Sequence, residues 1–515
     1  MGRKLTIITG GLLVAAAAGI VVFSYEPERP VVTIAPSGKL LLAGVTIVDT
    51  RDGTLSPGMA VLTDRGFIVS ITAAGVQETV TGAQVIDAQG KFLVPGFNDY
   101  HAHPLGPDDP SGALALMLAN GITGFRQMSG SPEMLKERRE RRLPTGRYSP
   151  AALTMPGSLL TPFNADNPEQ AAATVRSQEA QGADFIKVGL TSPAAFFAAQ
   201  AEAKRIGLPF AGHLQQEVDA VAASKGGMKA IEHLGPGDKI LVTCSTDEAA
   251  LRQEIAKLPP VISPPVNLSF IDNLPVLEKL MGRMLAKKII NPVADADAAD
   301  VGRYVRIANT FSEDKCRALA AVFVANGTWH VPTLIRIRTS ELGDLPEYAN
   351  DPNLRYMPSD IRQSWHDVTA TYNKKQTTAT KQAFRVAYAL QLRLTKLFDD
   401  AGVRMLAGSD SSGAGWEVPG FALHQEFDEL AKAGISPLRI LQMTTLNGAE
   451  FLGRTTMGTV ASGKNADLVL LDANPIESAQ NLHKVAGVVR AGYYYSRRDL
   501  DDILARVQAG NGYFH

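Results

Sequence analysis

The chain has 515 residues, of which 45% are hydrophobic and 20% charged, and its 51 basic and 52 acidic residues leave a formal net charge of −1. This length is enough for one large core with an accessory domain. A charge so close to zero provides no field that would draw the chain to nucleic acid or to an acidic membrane surface, so neither is expected as a partner.

Residues 1–30 predict an export segment. Arg3 and Lys4 precede residues 5–23, which carry no charge. Such a run suits either the core of a long signal peptide or a minimal membrane span. Small residues near Ser24 are compatible with cleavage, and an uncleaved anchor is an equal alternative. In both cases we expect the body of the protein outside the cytoplasm, periplasmic or extracellular, with membrane contact only through this segment.

Residues 38–92 predict short strands separated by glycine-containing turns, and a similar pattern returns near the C-terminus. The apolar or β-branched runs are residues 44–49, 59–62, 67–71, 466–472 and 485–490. We expect residues 38–92 and 455–495 to form one small β-sandwich domain from two separated segments. Two independent β domains are the alternative.

Between these segments, short apolar strands alternate with alanine-rich helices. Residues 168–180 predict a helix, and residues 182–188 predict the strand that follows it. Repeated strand–helix units favour a parallel sheet covered by helices. The expected fold class is therefore α/β, with a (β/α)8 TIM barrel over residues 93–445 inserted between the two halves of the β-sandwich.

Two cysteines, Cys244 and Cys316, are all that the sequence contains. They cannot build a disulfide framework, and neither stands in a CxxC or Cys/His spacing, so any bound metal must be held by nitrogen and oxygen ligands. The sequence leaves a bond between the two open, and we expect two unpaired buried thiols.

Polar residues stand at the ends of several predicted strands. His101 and His103 follow an apolar run, and residues two apart on a strand face the same way. Two such imidazoles can bind one divalent ion at about 2.0–2.1 Å. An HxH pair alone is weak evidence, but four more residues end or interrupt short apolar runs: Lys187, His213, His233 and Asp410. In a (β/α)8 barrel, the carboxyl ends of the strands carry the catalytic residues.

This order of residues, HxH, Lys, His, His and Asp, resembles that of the amidohydrolase superfamily. The resemblance covers nearly everything after residue 30, and its motifs are residues 95–103, 231–233, 409–410, 444–453 and 458–469. Within the superfamily the chain resembles the binuclear-metal branch related to imidazolonepropionase and to prolidase-like Xaa-dipeptidases. Residues 121–126 and 329–334 are similar to strands 2 and 7 of that branch.

The resemblance implies two divalent metal ions, expected to be zinc. His101, His103 and Asp410 would hold one ion, and His213 and His233 the other. Lys187 would be N6-carboxylated by carbon dioxide, and its carbamate would bridge both ions. Asp410 is the expected catalytic proton carrier, while His233 or His330 would assist the oxyanion from the pocket.

Some features depart from the family pattern or remain outside it. Gln127 stands where the family usually has Asp, and Leu214 begins a run bulkier than the expected glycine-containing one. Insertions at about 240–325 and 335–400, with helices predicted over residues 273–287 and 374–400, are expected to cover the barrel mouth. The remaining histidines are expected to be surface or structural residues: His366, His424, His483 and His515.

The sequence thus predicts a binuclear metal-dependent hydrolase that cleaves amide or peptide C–N bonds of small N-acyl amino acids or dipeptides with a metal-bridging hydroxide. A hydrolase of cyclic amides, lactones or esters would use the same site. A metal-free binding protein on the same scaffold is a third hypothesis. The expected partner is a small-molecule substrate, and the sequence leaves homo-oligomerisation open.

Overall fold

The computed structural model describes residues 31–510, except positions 33, 36, 74, 76–79, 108, 216, 236–238 and 259–287. The predicted export segment, the predicted helix over residues 273–287, Gln216 and His515 lie outside the described residues. Within the described part, no helix is long and apolar enough to cross a membrane.

The strands of the described residues are short, and they fall into two terminal groups and a middle group. They are β1 Lys39–Val48, β2 Leu55–Asp64, β3 Phe67–Ala73, β4 Ala83–Asp87, β5 Phe92–Pro95, β6 Phe97–Ala102, β7 Ile122–Gln127, β8 Ala151–Thr154, β9 Ile186–Val188, β10 Phe210–Gly212, β11 Met228–Glu232, β12 Trp329–Val331, β13 Leu468–Leu471, β14 Val485–Arg490 and β15 Tyr493–Ser496.

Helices connect the middle strands and cover them. They are α1 Ser111–Ala119, α2 Pro132–Arg139, α3 Pro168–Ala180, α4 Pro193–Ile206, α5 Ala220–Gly226, α6 Lys239–Thr243, α7 Glu248–Ile255, α8 Ala298–Asn309, α9 Glu313–Asn326, α10 Leu334–Glu341, α11 Pro346–Ala349, α12 Ser359–Lys375, α13 Thr378–Asp400, α14 Phe421–Lys432, α15 Pro437–Thr444, α16 Leu446–Phe451 and α17 Arg497–Gln508. Two 3₁₀ helices span Pro352–Tyr356 and Ala479–His483.

The strands of both terminal segments share one mixed sheet. Its order is β15-β14-β13-β5-β1-β2-β3, and β4 pairs with β1 in parallel. The two segments join where β13 pairs antiparallel with β5, from Leu468 opposite Pro95 to Leu471 opposite Phe92. The similar strand patterns at the two ends of the sequence therefore reflect strands of the same sheet.

The middle strands form two parallel sheets. One has the order β6-β7-β8 and the other β12-β11-β10-β9. Isolated parallel bridges from Pro156 to Phe185 and from Leu160 to Val188 join the chain after β8 to the region of β9. Residues 405–411 approach β12 through Met405 and β6 through Ser411. The strands β6, β7, β9, β10 and β12 are buried throughout. Such continuous burial is typical of parallel strands with helices on their faces, and the predicted α/β class is confirmed.

The short helix α16 packs against the strands β7 and β12. The Phe451 ring on this helix lies 5.4 Å from the Trp329 ring of β12, edge to face. The same ring lies 5.1 Å from the guanidinium of Arg126 on β7. Side chains from different strands pack into one buried cluster here, which includes Leu153, Phe185 and Trp329.

Helix boundaries follow local capping chemistry. The helix α3 begins at Pro168 because the Asn167 side chain accepts a hydrogen bond from the Gln170 backbone N–H, and its bounds agree with the predicted helix. The helix predicted over residues 374–400 is present as α13, Thr378–Asp400, and it begins four residues later than predicted. The helix α12 ends at Lys375, and α13 starts at Thr378 after Thr377 caps it through the Thr380 N–H.

The two cysteines form a disulfide, so the expectation of two unpaired thiols is wrong. Cys244 follows α6, and Cys316 lies in the first turn of α9. Backbone pairing brings these segments together, because the Ser312 N–H donates to the Cys244 carbonyl at 2.8 Å. The partners are 72 residues apart, and this contact between distant segments leaves no local pattern in the sequence.

Candidate metal centre

The parallel strands bring the six predicted metal ligands together. They stand in or directly after the strands that the pattern predicted: His101 in β6 and His103 after it, Lys187 in β9, His213 after β10, His233 after β11, and Asp410 at the end of residues 405–410. Because the strands run parallel, their carboxyl ends meet at one edge.

Asp410 is the centre of this cluster. Its Oδ1 lies 3.0 Å from His103 Nε2 and 3.3 Å from His101 Nε2, and its Oδ2 lies 4.0 Å from His233 Nε2. One ligand atom from each of His101, His233 and Asp410 lies within 4.8 Å of the others. Three imidazoles therefore face one carboxylate.

Lys187 and His213 complete the cluster. Lys187 Nζ lies 3.5 Å from His101 Nε2, in hydrogen-bonding range, and this lysine is buried. The His213 ring centroid lies 5.1 Å from that of His233, which in turn lies 4.4 Å from that of His101.

Hydrogen bonds at Nδ1 orient three of the four imidazoles. His101 Nδ1 donates to Glu232 Oε2 at 2.7 Å. His233 Nδ1 lies 2.6 Å from Thr333 Oγ1, and that hydroxyl already donates to the Pro332 carbonyl, so the imidazole N–H is the donor. His103 Nδ1 hydrogen-bonds with Ser129 Oγ at 2.8 Å. Each Nε2 is thereby directed toward Asp410, as a metal site requires.

The protonation states also suit metal ligands. Burial lowers the pKa of His233 and His213 well below its usual range, so both imidazoles are neutral at neutral pH. Burial alone would raise the pKa of Asp410, but the electrostatic influence of the surrounding imidazoles, those of His101 and His233 foremost, outweighs it, and the pKa lies well below normal. Burial lowers the pKa of Lys187 to about 8, so part of this amine is uncharged near neutral pH.

The backbone at two ligand positions adopts a left-handed conformation. His233 has φ 55° and Asp410 has φ 60°, and Thr333, which orients His233, has φ 46°. Side chains other than glycine rarely adopt this region, and residues held there cluster at functional sites. The tight turns after β11 and after residue 407 thus aim both ligands into the cluster.

His330 lies outside the cluster, and the expectation that it lines the pocket is wrong. The side chain is completely buried between Phe323 of α9 and Phe398 of α13, at ring-centroid distances of 4.6 and 5.0 Å. Trp329 and Val331, its neighbours on β12, belong to the buried cluster around Phe185. Successive strand residues point to opposite faces, so His330 faces the helices. Burial lowers its pKa to about 3.

The other described histidines contact groups away from Asp410. His424 Nε2 lies 2.8 Å from the Asn120 carbonyl, and His483 Nε2 lies 2.9 Å from Asp428. The His366 ring packs edge-on against Trp416. These contacts fit structural roles.

Three charged residues next to the cluster were not predicted from the sequence to have a role. Glu232 contacts His101, Arg126 contacts Glu232 at 3.0 Å, and Arg336 Nε lies 3.2 Å from Asp410 Oδ2. A charged side chain within an apolar strand was the available signal for Glu232 and Arg126. Arg336 lies in the helix α10 and had no such signal.

The donor set fits a divalent metal ion. Imidazole nitrogen and carboxylate oxygen are the ligands that zinc takes in sites without cysteine, and the Nδ1 contacts leave the Nε2 atoms free to bind. Metal-dependent hydrolases use such clusters at the carboxyl ends of the parallel strands of an α/β scaffold.

Part of the chain matches a known protein family. Residues 391–493 match the model of the amidohydrolase family. Over these residues the match confirms the predicted resemblance to that family.

Solved structures of similar proteins cover nearly the whole chain. Bottromycin amidohydrolase superposes with a TM-score of 0.63 and 20% identity over 92% of this chain and 91% of that one. A prolidase from Bifidobacterium longum has a TM-score of 0.57 and 18% identity over 92% and 100% of the two chains. A Xaa-Pro dipeptidase has a TM-score of 0.56 and 17% identity over 89% and 100%. At these identities the likeness establishes the fold alone.

Curated relatives match over a shorter stretch. The dihydroorotase of Carboxydothermus hydrogenoformans is 38% identical over 95 residues, which is 17% of this chain and 21% of that protein. The dihydroorotase of Pelotomaculum thermopropionicum is 38% identical over 65 residues, 13% of this chain and 14% of that protein. The match thus spans about a fifth or less of the length of these relatives.

Proposed function

We propose that this protein is a binuclear metal-dependent amidohydrolase that cleaves the C–N bond of small N-acyl amino acids or dipeptides. The observation that carries the proposal is the convergence of three imidazoles on the Asp410 carboxylate, with Lys187 in hydrogen-bonding range of His101. The prolidase and dipeptidase among the similar structures support the substrate class.

The residues that would hold the metals divide into two sets. His101, His103 and Asp410 would hold one ion, and His213 and His233 the other. When bound, such ions polarise a carbonyl oxygen and lower the pKa of water to about 7. Zinc is the proposed metal.

Lys187 is proposed to be carboxylated. Its amine would add to carbon dioxide, forming one N–C bond and releasing one proton, and the resulting carbamate would bridge the two ions. The change replaces a cation with an anion in a buried site between two positively charged ions, which removes the cost of burying an unpaired ammonium.

Asp410 is proposed to carry the proton from the attacking water to the leaving nitrogen. It is ionised, it lies at the centre of the cluster, and Arg336 fixes its second oxygen. His233 would assist the oxyanion, and Thr333 holds its ring in place. Because His330 faces the helices, it takes no part in this scheme.

The proposal includes the architecture. Strands β6 to β12 and residues 405–411 would close into a (β/α)8 barrel over residues 93–445, and the mixed sheet would fold into a β-sandwich over residues 38–92 and 455–495. The bridges from β12 to Met405 and from Ser411 to β6 support closure.

Export is also proposed. The charged start and the apolar residues 5–23 support it, and so does the Cys244–Cys316 disulfide, because such bonds form and persist mainly in oxidising compartments. Cell fractionation with N-terminal sequencing tests this. Full-length chain found soluble in the cytoplasm would contradict both a cleaved signal peptide and an anchor.

A substrate panel with metal analysis tests the activity. Purified protein, assayed with zinc, is expected to contain about two divalent ions per chain and to hydrolyse N-acyl amino acids or dipeptides. Activity confined to cyclic imides, lactones or aryl esters would replace the amide substrate with the alternative class. Protein that binds no divalent metal would favour the binding-protein hypothesis.

A further inference from the structure

A buried ion pair joins two separate strands next to the candidate metal centre. Arg126 on β7 is 1% exposed, and Glu232 on β11 is completely buried. Arg126 Nη1 lies 3.0 Å from Glu232 Oε1. The strands β7 and β11 belong to different parallel sheets, so the pair connects the two sheets through their shared interior.

Glu232 uses its two oxygens for two different partners. While Oε1 faces Arg126, Oε2 accepts the hydrogen bond from His101 Nδ1 at 2.7 Å. A buried carboxylate with no partner would cost several kcal/mol, and Arg126 supplies the compensating charge. The carboxylate therefore stays an acceptor, and it keeps the proton of His101 on Nδ1.

Arg126 is itself held rigidly. Its guanidinium lies over the Phe185 ring at 4.6 Å and over the Phe451 ring at 5.1 Å. Its Nη1 also donates to the Tyr100 carbonyl at 3.4 Å, one residue before His101. Aromatic faces favour a cation in this position. These contacts fix the orientation of the Arg126 guanidinium, and the guanidinium in turn orients the Glu232 carboxylate.

We propose that Arg126 and Glu232 are positioning residues that fix the tautomer and the direction of His101. With Nδ1 protonated and directed at Glu232, the unprotonated Nε2 faces Asp410 and Lys187, where a divalent ion is proposed to bind. The proposal rests on the proposed metal centre. Among the proposed ligands, His101 is the one to which a side chain of the pair is hydrogen-bonded in the described contacts.

The first test is zinc affinity, measured on the full chain by competition with a chelator. Glu232→Gln keeps the shape of the side chain and removes its charge, and Arg126→Met leaves the carboxylate unpaired. Each is expected to weaken zinc binding about 10–100-fold, as loss of an outer hydrogen-bond partner does in other metal sites. Arg126→Lys, which keeps the charge, is expected to restore part of the affinity.

A partly buried ion pair outside the cluster provides the matched control. Arg338 lies 3.1 Å from Glu429, with side-chain exposures of 19% and 8%. Arg338→Met should lower stability without changing zinc affinity. If Arg126→Met and Glu232→Gln lose zinc affinity no more than this control at equal loss of stability, the pair is merely structural and the proposal is wrong.

The second test needs no metal. In metal-free protein labelled with ¹⁵N-histidine, wild type is expected to give a signal for His101 protonated at Nδ1, identified by its absence in His101→Asn. In Glu232→Gln, that signal should be lost, or the proton of His101 should be distributed between Nδ1 and Nε2. An unchanged His101 tautomer in the variant would overturn the proposal. Wild type that keeps the tautomer but binds no zinc would contradict the metal centre alone.

Discussion

His233 and His330 come from neighbouring strands, and both are buried, yet they occupy different chemical environments. The strands pair in parallel, with Ile231 opposite His330, and burial depresses the pKa of both imidazoles. His233 is oriented by Thr333 and faces Asp410, whereas both ring nitrogens of His330 lack a hydrogen-bond partner among the described residues. Residue type and burial do not define this centre. What defines the centre is the convergence of several side chains from different strands.

The comparison separates an inner cluster, made of the six proposed ligands, from an outer shell, made of the helices and the side chains that face them. Changes in the inner cluster should reduce catalysis and metal binding with little loss of stability. Changes in the shell should reduce stability and leave the chemistry of the folded protein intact. Measuring both the rate of hydrolysis and the stability of a variant therefore distinguishes the two regions.

The largest effect is expected for Asp410→Asn. The amide cannot carry the proton or neutralise a metal ion, so the rate of hydrolysis should fall at least about 1,000-fold, equivalent to about 4 kcal/mol of activation free energy. The unfolding midpoint of the metal-free protein should change little, because asparagine also tolerates the left-handed backbone. Steady-state rates and thermal melts check both statements. A variant with wild-type activity would remove Asp410 from the mechanism.

Lys187→Ala is expected to lower the rate about 100-fold or more, because the bridging carbamate would be missing. Added acetate or propionate should restore part of the activity by occupying the vacated position between the ions. Lys229→Ala is the matched control, since Lys229 lies on β11 and its amine faces the Trp329 and Phe451 rings. If Lys187→Ala loses activity and neither acetate nor propionate restores it, Lys187 has a role other than that of a bridging ligand.

The disulfide belongs to the shell. Replacing Cys244 and Cys316 by serine is expected to lower the free energy of unfolding by about 2–4 kcal/mol, because the unfolded chain gains freedom. Zinc content and rate per folded molecule should stay at the wild-type level. Denaturant titration, with the wild type under reducing and oxidising conditions as control, measures the effect. A parallel loss of zinc would connect this part of the shell to the inner cluster.

The smallest effect is expected for His330→Phe, and it depends on pH. The folded-state pKa of about 3 lies below the unfolded value of about 6.5, so the unfolded chain binds the proton more readily. Wild type therefore loses stability as pH falls from about 6.5 towards 3, and the variant is spared this loss.

The proton-linked part of the difference should be near zero at pH 8 and about 2 kcal/mol in favour of the variant at pH 5, so the advantage of the variant should grow by that amount between the two pH values. Unfolding curves at the two pH values measure it. Hydrolysis at pH 8 should be unchanged. A variant that loses activity while remaining folded would return His330 to the mechanism.

The sequence was informative wherever the determinant is local or the position on a strand is decisive. The helix α3 follows from its capping residue and proline, and the six proposed ligands stand in or directly after apolar runs. The side of β12 on which His330 lies was missed, because a three-residue strand gives too little alternation to fix which face is interior. The pairs Cys244–Cys316 and His101–Glu232 were missed for another reason. Their members are 72 and 131 residues apart, and only the packing of distant strands and helices brings them together.

The left-handed backbone at His233 and Asp410 has a consequence for evolution and engineering. Glycine adopts φ values of 55° and 60° without strain, whereas histidine does so at a cost on the order of 1–3 kcal/mol. A selection for heat resistance alone would therefore favour replacement of two residues that are proposed to bind the metal. Laboratory evolution of this protein toward higher stability must therefore keep hydrolysis under selection in every round, since relief of backbone strain at these positions would remove proposed ligands.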